Sequence, residues 1–233
     1  MKIIFLNTWN GRMKNEIVDF IKLHKSTTDV FCFQEVYDGD FRKLIIEILA
    51  GFTEIWDYKK GPTDESGNDD YAVATFVNRS LKIASKSSLF DEPPGNGLGI
   101  STDVEKDGKI FHVLNYHGIS RPKDKLDNEA RISQTQKIIN YYKKFSEKVI
   151  LGGDFNFLPQ TDSYENFIKD GYRELILTNN ISTTRNKLYW DNRPQTHLYS
   201  DYIFTSKDVE IKMIEVPKIE ISDHLPMILE INS

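Results

Sequence analysis

Short apolar runs separated by polar segments recur along the chain, and this pattern predicts a protein built largely of short strands. The runs are rich in β-branched and aromatic residues, which favour strands. Eight runs fit this description: Lys2 to Leu6, Val30 to Phe33, Tyr71 to Val77, Ile110 to Tyr116, Val149 to Leu151, Tyr202 to Thr205, Val209 to Val216 and Leu225 to Ile231. The pair Asp107-Gly108 between two extended runs predicts a hairpin turn.

Two further segments carry a stripe of positions at spacings of three and four, which predicts helices. The stripes consist of Ile17, Phe20, Ile21 and His24, and of Ile132, Gln136, Ile139 and Tyr142. Hairpins mixed with β-helix-β units favour mixed sheets covered by helices, so the predicted class is α/β. Polar stretches at 61–70, 91–97 and 185–197 are interpreted as loops, and residues 1–233 are predicted to form one domain.

Amino-acid composition excludes few classes of protein. The 39% hydrophobic and 28% charged residues are ordinary for a globular protein, and 30 basic against 35 acidic side chains leave a net charge of -5. Bulk charge therefore does not indicate a nucleic-acid binder, although a metal ion could still bind a phosphate locally.

A lone cysteine, Cys32, excludes an internal disulfide. The N-terminal apolar run is too short for a signal peptide or a membrane span, so we predict a cytoplasmic protein without membrane insertion. No obligate protein partner is evident.

Candidate chemistry appears where polar residues interrupt the predicted strands. In the stretch "ILGGDFNFLP", the alternation of extended backbone places Asp154 and Asn156 on one face and two phenylalanines on the other. Four strands end near Asn7, Gln34-Glu35, His117 and Asp154, whereas Asp201 and Asp223-His224 precede two others. If those last two strands run antiparallel to the rest, all six termini meet at one edge of the sheets.

Such a set of side chains is typical of metal-assisted phosphoester cleavage. Glu35, Asp223 and the amide oxygen of Asn7 are hard oxygen donors of the kind that Mg²⁺ prefers, and Mn²⁺ is an expected substitute. No cluster of histidine and cysteine indicates zinc. The histidines and remaining carboxylates can orient water and stabilise developing charge.

Six segments in order resemble the endonuclease/exonuclease/phosphatase superfamily, which includes AP endonucleases, pancreatic-type deoxyribonuclease, sphingomyelinases and inositol polyphosphate phosphatases. The segments are "FLNTWNG", "CFQEV", "NYHG", "LGGDFN", "SDYIF" and "SDHLP", and they span Asn7 to His224. Each is weak alone, but six in one order are specific. The resemblance implies a four-layer sandwich in which two packed mixed β-sheets are flanked by α-helices.

The resemblance also implies a role for each matching residue. Asn7 would order the metal site, Glu35 would be the chief metal ligand and Asp223 would lie beside it. Asp154 would orient or deprotonate the attacking water, and Asn156 would hold the phosphate. His224 would bond the scissile phosphate with its tautomer fixed by Asp201. His117 stands where deoxyribonucleases and sphingomyelinases carry a histidine and many AP endonucleases a tyrosine.

Three more residues have weaker support. Asp70 stands where deoxyribonuclease-like relatives carry an acid that orients the first histidine, although the acidic loop before it could serve solubility alone. Arg131 could reach a phosphate, pair with a carboxylate or lie on a solvated helix face. Trp190, or Tyr189 beside it, could stack on a base. Structural alternatives stay open for the other residues too: strand-ending turns, and a close-approach bend at Gly152-Gly153.

The sequence therefore predicts a divalent-metal-dependent phosphoester hydrolase that prefers phosphodiesters, with DNA or RNA as its substrate. The basic segment "RPKDK" after His117 and the aromatic and basic segment "RNKLYWDNRP" favour nucleic acid, and the acidic net charge opposes it. The alternative is a phosphoesterase acting on a phospholipid, a phosphoinositide or a small phosphorylated metabolite. A more distant alternative is a non-catalytic binding module.

Overall fold

The computed structural model describes residues 1–37, 39–60, 63–64, 67–68, 71–90, 97–145, 147–190 and 197–233. In these ranges the strands are β1 (Lys2–Asn7), β2 (Val30–Gln34), β3 (Phe52–Lys59), β4 (Thr63–Asp64), β5 (Gly67–Asn68), β6 (Tyr71–Asn78), β7 (Lys82–Leu89), β8 (Leu98–Lys106), β9 (Lys109–His117), β10 (Val149–Asp154), β11 (Arg173–Glu174), β12 (Asp201–Thr205), β13 (Ile211–Glu215) and β14 (Met227–Ile231). The helices are α1 (Lys14–His24), α2 (Gly39–Ile48), α3 (Glu129–Tyr142), α4 (Asp162–Lys169) and α5 (Lys187–Trp190). No helix among the described residues is long and apolar enough to cross a membrane.

Two six-stranded sheets form the centre of the fold. The first has the strand order β13-β14-β1-β2-β6-β3, and the second has the order β11-β12-β10-β9-β8-β7. Each sheet contains one parallel pair near its middle, β1 with β2 and β9 with β10, while its other pairs are antiparallel. The mixed sheets expected from the sequence are therefore confirmed. Strands β4 and β5 form a separate two-stranded sheet.

Three apolar clusters define four layers. The cluster between the sheets joins side chains of both, such as Phe5 and Cys32 of the first and Ile150 and Ile203 of the second. A second cluster packs α1 and α2 on the outer face of the first sheet. A third packs α3 and α4 on the outer face of the second sheet. The predicted four-layer α/β sandwich is thus confirmed.

The two glycines of "ILGGDFNFLP" are explained by close packing. A Cβ atom on Gly152 would lie 2.4 Å from a ring carbon of Phe5, so a glycine lets β10 approach β1 of the facing sheet. Gly153 has a φ of 134°, and a Cβ there would lie 2.1 Å from the carbonyl oxygen of Tyr116. Both positions therefore require glycine for steric reasons, immediately before Asp154.

The sequence pattern missed several elements at the borders of the sheets. Strands β3 and β7 are edge strands, and their exposed faces carry polar residues that interrupt the apolar runs. Helices α2 and α4 were also not predicted. The Asp107-Gly108 hairpin is confirmed between β8 and β9, with φ values of 52° and 76° that suit a type I′ turn.

Candidate active site

The strand register brings the six polar termini to one edge. In the first sheet Asn7 pairs with Gln34 at the ends of the parallel strands β1 and β2. In the second, Asp154 of β10 pairs with both His117 of parallel β9 and Asp201 of antiparallel β12. Strand β14 runs antiparallel to β1, so the segment before it, which holds Asp223 and His224, reaches the same edge. The cleft therefore lies where the two sheets meet.

Asn7 bridges the two sheets at the cleft. Its Nδ2 donates to Glu35 Oε1 and to Asp154 Oδ2, both at 3.0 Å. Its Oδ1 accepts the backbone N–H of Trp9 at 3.0 Å. An amide oxygen has two lone pairs, so Oδ1 keeps one for a metal ion while Nδ2 holds the two carboxylates in position.

His224 is held by Asp201. Its Nδ1 lies 2.8 Å and 2.9 Å from the two carboxylate oxygens of Asp201, and the backbone N–H of Asp201 donates to Thr184 Oγ1. The other ring nitrogen, Nε2, lies 3.6 Å from Asp154 Oδ2 and 3.8 Å from Asp223 Oδ1. Because Asp201 and His224 are both buried, this contact fixes the ring so that Nε2 faces the cleft.

His117 is the second histidine next to Asp154. Its Nε2 is 3.8 Å from Glu35 Oε1 and 3.9 Å from Asp154 Oδ2, and its ring packs against Tyr71 with centroids 5.1 Å apart. Asp70, predicted to orient this histidine, lies outside the described residues. Glu35, Asp154 and the two histidines therefore surround one small volume.

Asn156 follows Asp154 in a left-handed conformation, with a φ of 56°. Its backbone N–H donates to Asp154 Oδ1 at 3.1 Å, and its side-chain Nδ2 donates to the carbonyl oxygen of Gly118 at 3.2 Å. An amide nitrogen has two N–H groups, so one remains for a ligand. This turn explains how Asp154 and Asn156 both reach the cleft although β10 has already ended.

Two cationic side chains at the site were not predicted individually. Lys125 is buried, and its Nζ donates to Asn156 Oδ1 at 3.0 Å and to Ser200 Oγ at 2.6 Å. The Ser200 hydroxyl in turn donates to Asp154 Oδ1. Arg185 is buried beside His224. Their only sequence signal was membership of the basic stretches "RPKDK" and "RNKLYWDNRP".

The structure also gives the surroundings of Arg131 and Trp190. The Arg131 guanidinium is buried and donates to the backbone carbonyls of Ile119, Pro122 and Leu126. It also lies 3.6 Å from Asp124 Oδ1, so it pairs with a carboxylate, braces the loop that carries Lys125 and does not lie on a solvated face. Trp190 ends the short helix α5 and packs edge-on against Tyr189, with ring centroids 6.1 Å apart.

Burial and charge perturb the pKa values of these groups. Burial, with repulsion from Asp223 and Asp154, raises the pKa of Glu35 to about 7. Burial opposes ionisation of Asp154, yet the positive charges around it hold its pKa well below the usual range. Burial and the neighbouring Arg185 lower the pKa of His224 to about 4, and burial lowers the pKa of Lys125 to about 7.

The donor set fits a hard divalent cation. The charge of Asp223 helps to raise the pKa of Glu35, and a bound cation would relieve this repulsion. Ligand atoms of Glu35, His117 and Asp154 also lie within 4.8 Å of one another. Carboxylate oxygens dominate, as Mg²⁺ or Mn²⁺ requires.

Several residues at the cleft adopt backbone conformations that side chains seldom take. Among the described residues, nine non-glycine residues have a positive φ. Five of them lie at or next to the site: Trp9, Asn10, Glu35, Lys125 and Asn156. Strained conformations of this kind persist when the surrounding structure imposes them, and they concentrate at functional sites.

Comparison with known proteins agrees with this geometry. The model of the Endonuclease/Exonuclease/phosphatase family matches residues 7–224, so the match begins at Asn7 and ends at His224. No curated protein sequence matches the chain.

Solved structures share the fold at low identity. An endonuclease/exonuclease/phosphatase from Bacteroides vulgatus is 17% identical with a TM-score of 0.75, over 99% of this chain and 98% of the other. The human Nocturnin catalytic domain with a bound sulfate anion is 18% identical with a TM-score of 0.71, over 100% and 94%. D. rerio TDP2 complexed with a single-strand DNA product is 16% identical with a TM-score of 0.73, over 100% and 99%. Because the family model spans nearly the whole chain, this protein belongs to the endonuclease/exonuclease/phosphatase family.

Proposed function

We propose that this protein hydrolyses phosphodiester bonds with the help of a divalent metal ion, and that its substrate is nucleic acid. The observation that carries the proposal is the environment of Asp154. Its carboxylate lies 3.0 Å from Asn7 Nδ2, which also binds Glu35, and 3.6 Å from His224 Nε2. A candidate metal-binding side and a candidate phosphate-binding side therefore meet at one buried, ionised carboxylate.

Glu35 and Asp223 are the residues that would hold the metal, with Mg²⁺ as the expected ion and Mn²⁺ as its substitute. Asn7 keeps Glu35 in place through the 3.0 Å hydrogen bond. When bound, the cation neutralises charge on the phosphoryl group and so lowers the barrier to attack by water.

The chain's own residues supply the remaining chemistry. The ionised Asp154 orients a water molecule, whose oxygen bonds to phosphorus while the bond from phosphorus to the leaving oxygen breaks. The proton of that water passes to Asp154, and the leaving oxygen takes a proton from solvent. Asn156, through its remaining N–H, meets the negative charge that develops on the phosphoryl oxygens, and each histidine does so when its Nε2 carries a proton. Asp201 keeps the His224 ring oriented for this contact.

Nucleic acid is favoured by the groups around the cleft. Lys125 and Arg185 place two cations among the acidic residues, and helix α5 adds two aromatic rings, Tyr189 against Arg185 and Trp190 next to Tyr189. Backbone phosphates pair with cations, and bases stack on aromatic rings. A family fold alone does not choose the substrate, but the TDP2 structure shows that this fold can accommodate a single-strand DNA product in that protein.

A substrate panel tests the proposal. Plasmid, abasic duplex, single-stranded DNA, RNA, sphingomyelin and phosphoinositides are incubated with the protein in Mg²⁺, Mn²⁺ or EDTA. We expect a nucleic acid to be cleaved with either metal and none in EDTA, and Glu35→Gln to lose turnover by orders of magnitude while remaining folded.

Two outcomes would change the assignment. Cleavage of sphingomyelin or a phosphoinositide alone would move the substrate to the lipid class, and no cleavage of any substrate would contradict hydrolysis altogether. The exposed Glu47→Gln on α2 is the matched control, because it makes the same chemical change away from the cleft.

A further inference from the structure

Arg185 is a buried cation whose backbone is fastened to the catalytic segment. Residue 185 forms an isolated antiparallel bridge with His224. On either side of it, the backbone N–H of Leu225 donates to Thr184 and the backbone N–H of Asn186 donates to Asp223, at 2.8 Å and 2.9 Å. The Arg185 N–H itself is bound by Thr183 Oγ1 at 2.9 Å. The side chain therefore starts from a fixed point beside His224.

The Arg185 guanidinium makes few hydrogen bonds for a buried group. Its Nη1 contacts His224 Nε2 and lies 3.6 Å from Asp223 Oδ2. The carbon of the guanidinium lies 4.4 Å from the centroid of the Tyr189 ring, which supports its flat face. Its Nε is buried and has no hydrogen-bond partner among the described residues. A guanidinium carries five N–H donors, so most of its donor capacity is left unused within the described part of the chain, although only 4% of the residue is exposed.

The neutral ring nitrogen of His224 is a weaker acceptor for the guanidinium N–H groups than an anionic oxygen would be. A guanidinium can only donate, so His224 Nε2 must accept from it, and that nitrogen is the one that faces Asp154 and the cleft. A phosphate oxygen near Nε2 would be a better acceptor, because it is anionic and matches the fork of two parallel N–H groups. Arg185 and a substrate phosphate therefore compete for the same face of His224.

We propose that Arg185 is a catalytic residue whose guanidinium leaves His224 and binds the scissile phosphate when substrate enters. This inference rests on the proposed hydrolysis and adds a phosphate-binding group to it. In the free protein, Tyr189 and Asp223 hold the guanidinium in place. In the substrate complex, its two N–H groups bind the non-bridging phosphate oxygens and stabilise their charge as water attacks.

A purely structural role makes a different prediction. If Arg185 only balances the charge of Asp223, its replacement would destabilise the protein but leave the turnover of each folded molecule unchanged. If it binds phosphate, its replacement would weaken the binding of inorganic phosphate and would also slow turnover.

The experiment compares Arg185→Gln and Arg185→Lys with the wild type. Two quantities are measured: kcat/KM on the substrate that the panel identifies, and binding of inorganic phosphate by calorimetry in EDTA and in Mg²⁺. We expect Arg185→Gln to lower kcat/KM by roughly 10²–10³-fold, as for loss of one donor to a transition-state oxyanion, and to weaken phosphate binding. Arg185→Lys keeps the charge but not the fork, so its loss should be smaller, about tenfold, with an intermediate phosphate affinity.

The matched control is Arg42, which also lies on an aromatic ring, 4.0 Å from the Trp56 centroid, and pairs with Glu54 at 2.8 Å away from the cleft. Arg42→Gln should change neither quantity. Wild-type phosphate affinity and kcat/KM in the folded Arg185→Gln would overturn the inference. If that variant does not fold, the same result in Arg185→Lys would overturn it. A wild type that hydrolyses nothing would refute the proposed hydrolysis, while phosphate binding that depends on Arg185 would still support the phosphate site.

Discussion

Three hydrogen-bond donors converge on the Asp154 carboxylate: Asn7 Nδ2, the hydroxyl of Ser200 and the backbone N–H of Asn156. Because each of them donates, they favour the charged acceptor form of the side chain. The same carboxylate lies within 4 Å of both His117 and His224. The Asp154 carboxylate therefore both holds its hydrogen-bond donors in place and lies next to the two histidines of the proposed reaction.

Asp154→Asn tests both consequences. An amide would turn an N–H group toward one of the three donors, so the free energy of unfolding should fall by about 1–3 kcal/mol. Loss of the group that orients water and takes up its proton should lower single-turnover cleavage by roughly 10²–10⁴-fold per folded molecule. Chemical denaturation and single-turnover kinetics on one preparation measure the two effects.

Asp103→Asn is the control for this change. Asp103 pairs with His112 Nδ1 at 2.7 Å. His112 lies on β9 five residues before His117, so Asp103 and His112 form another carboxylate-histidine pair in the same sheet. Its replacement should cost stability and leave turnover unchanged. Equal turnover in wild type and Asp154→Asn would mean that the "GGDFN" stretch serves only the architecture.

Residues at strand ends were easier to identify from the sequence than residues on loops. Glu35, Asp154 and His224 each stand next to an apolar run, so strand alternation and termination predicted their common edge. Lys125 and Arg185 lie on loops whose path depends on distant contacts, such as the Arg131 guanidinium that binds the 119–126 backbone. No periodicity in the sequence encodes that path, so their approach to the site became visible only in the structure.

The strands β1 and β10 face each other across the core at the point where Gly152 lies against Phe5. The sequence indicated a bend or a close approach at Gly152-Gly153, but it could not identify Phe5 as the opposing side chain, because that contact joins two sheets. The buried pair Gln34 and Asn115, with Nε2 and Oδ1 2.6 Å apart, is a second such contact. Packing between sheets is therefore the part of the fold that local patterns predicted least.

Gly152→Ala should destabilise the protein through this contact. The added Cβ would lie 2.4 Å from the Phe5 ring, and overpacking of this kind typically costs about 1–3 kcal/mol. Turnover should fall as well, because displacement of β10 moves Asp154 relative to Asn7 on β1. The free energy of unfolding from urea titration and single-turnover kinetics measure these changes.

Gly51→Ala provides the comparison, since a Cβ there meets nothing within 4 Å. It should change stability by less than about 0.5 kcal/mol, as is usual for surface substitutions. A double variant that combines Gly152→Ala with Phe5→Leu should recover part of the lost stability. If Gly152→Ala is as stable as the wild type, the two sheets are not closely packed at this point.

For the whole molecule, the net charge of -5 understates how strongly negative charge is concentrated at one edge of the sandwich. Glu35, Asp154, Asp201 and Asp223 meet there, and among the described residues they are opposed by Lys125, Arg185 and the two histidines when these are protonated. A divalent cation should therefore couple to global stability, because it binds the folded arrangement of carboxylates and not the unfolded chain.

The stabilising effect of Mg²⁺ should depend on pH through Glu35. In the metal-free protein the pKa of Glu35 is raised from an ordinary 4.5 to about 7, so the folded state keeps a proton that the unfolded chain has already released. This contribution to stability is fully present below pH 4.5 and is lost as the pH rises to about 7. Mg²⁺ competes with that proton, so its stabilising effect should be larger at pH 8 than at pH 5.5, and should reach about 2.7 kcal/mol at a hundredfold excess over Kd.

Thermal unfolding at both pH values, in EDTA and in Mg²⁺, measures the difference. Glu35→Gln should remove most of the Mg²⁺ effect and should flatten the decline of the metal-free protein between these pH values, whereas Glu47→Gln should do neither. An equal Mg²⁺ effect in wild type and Glu35→Gln would place the cation on other residues of the cleft.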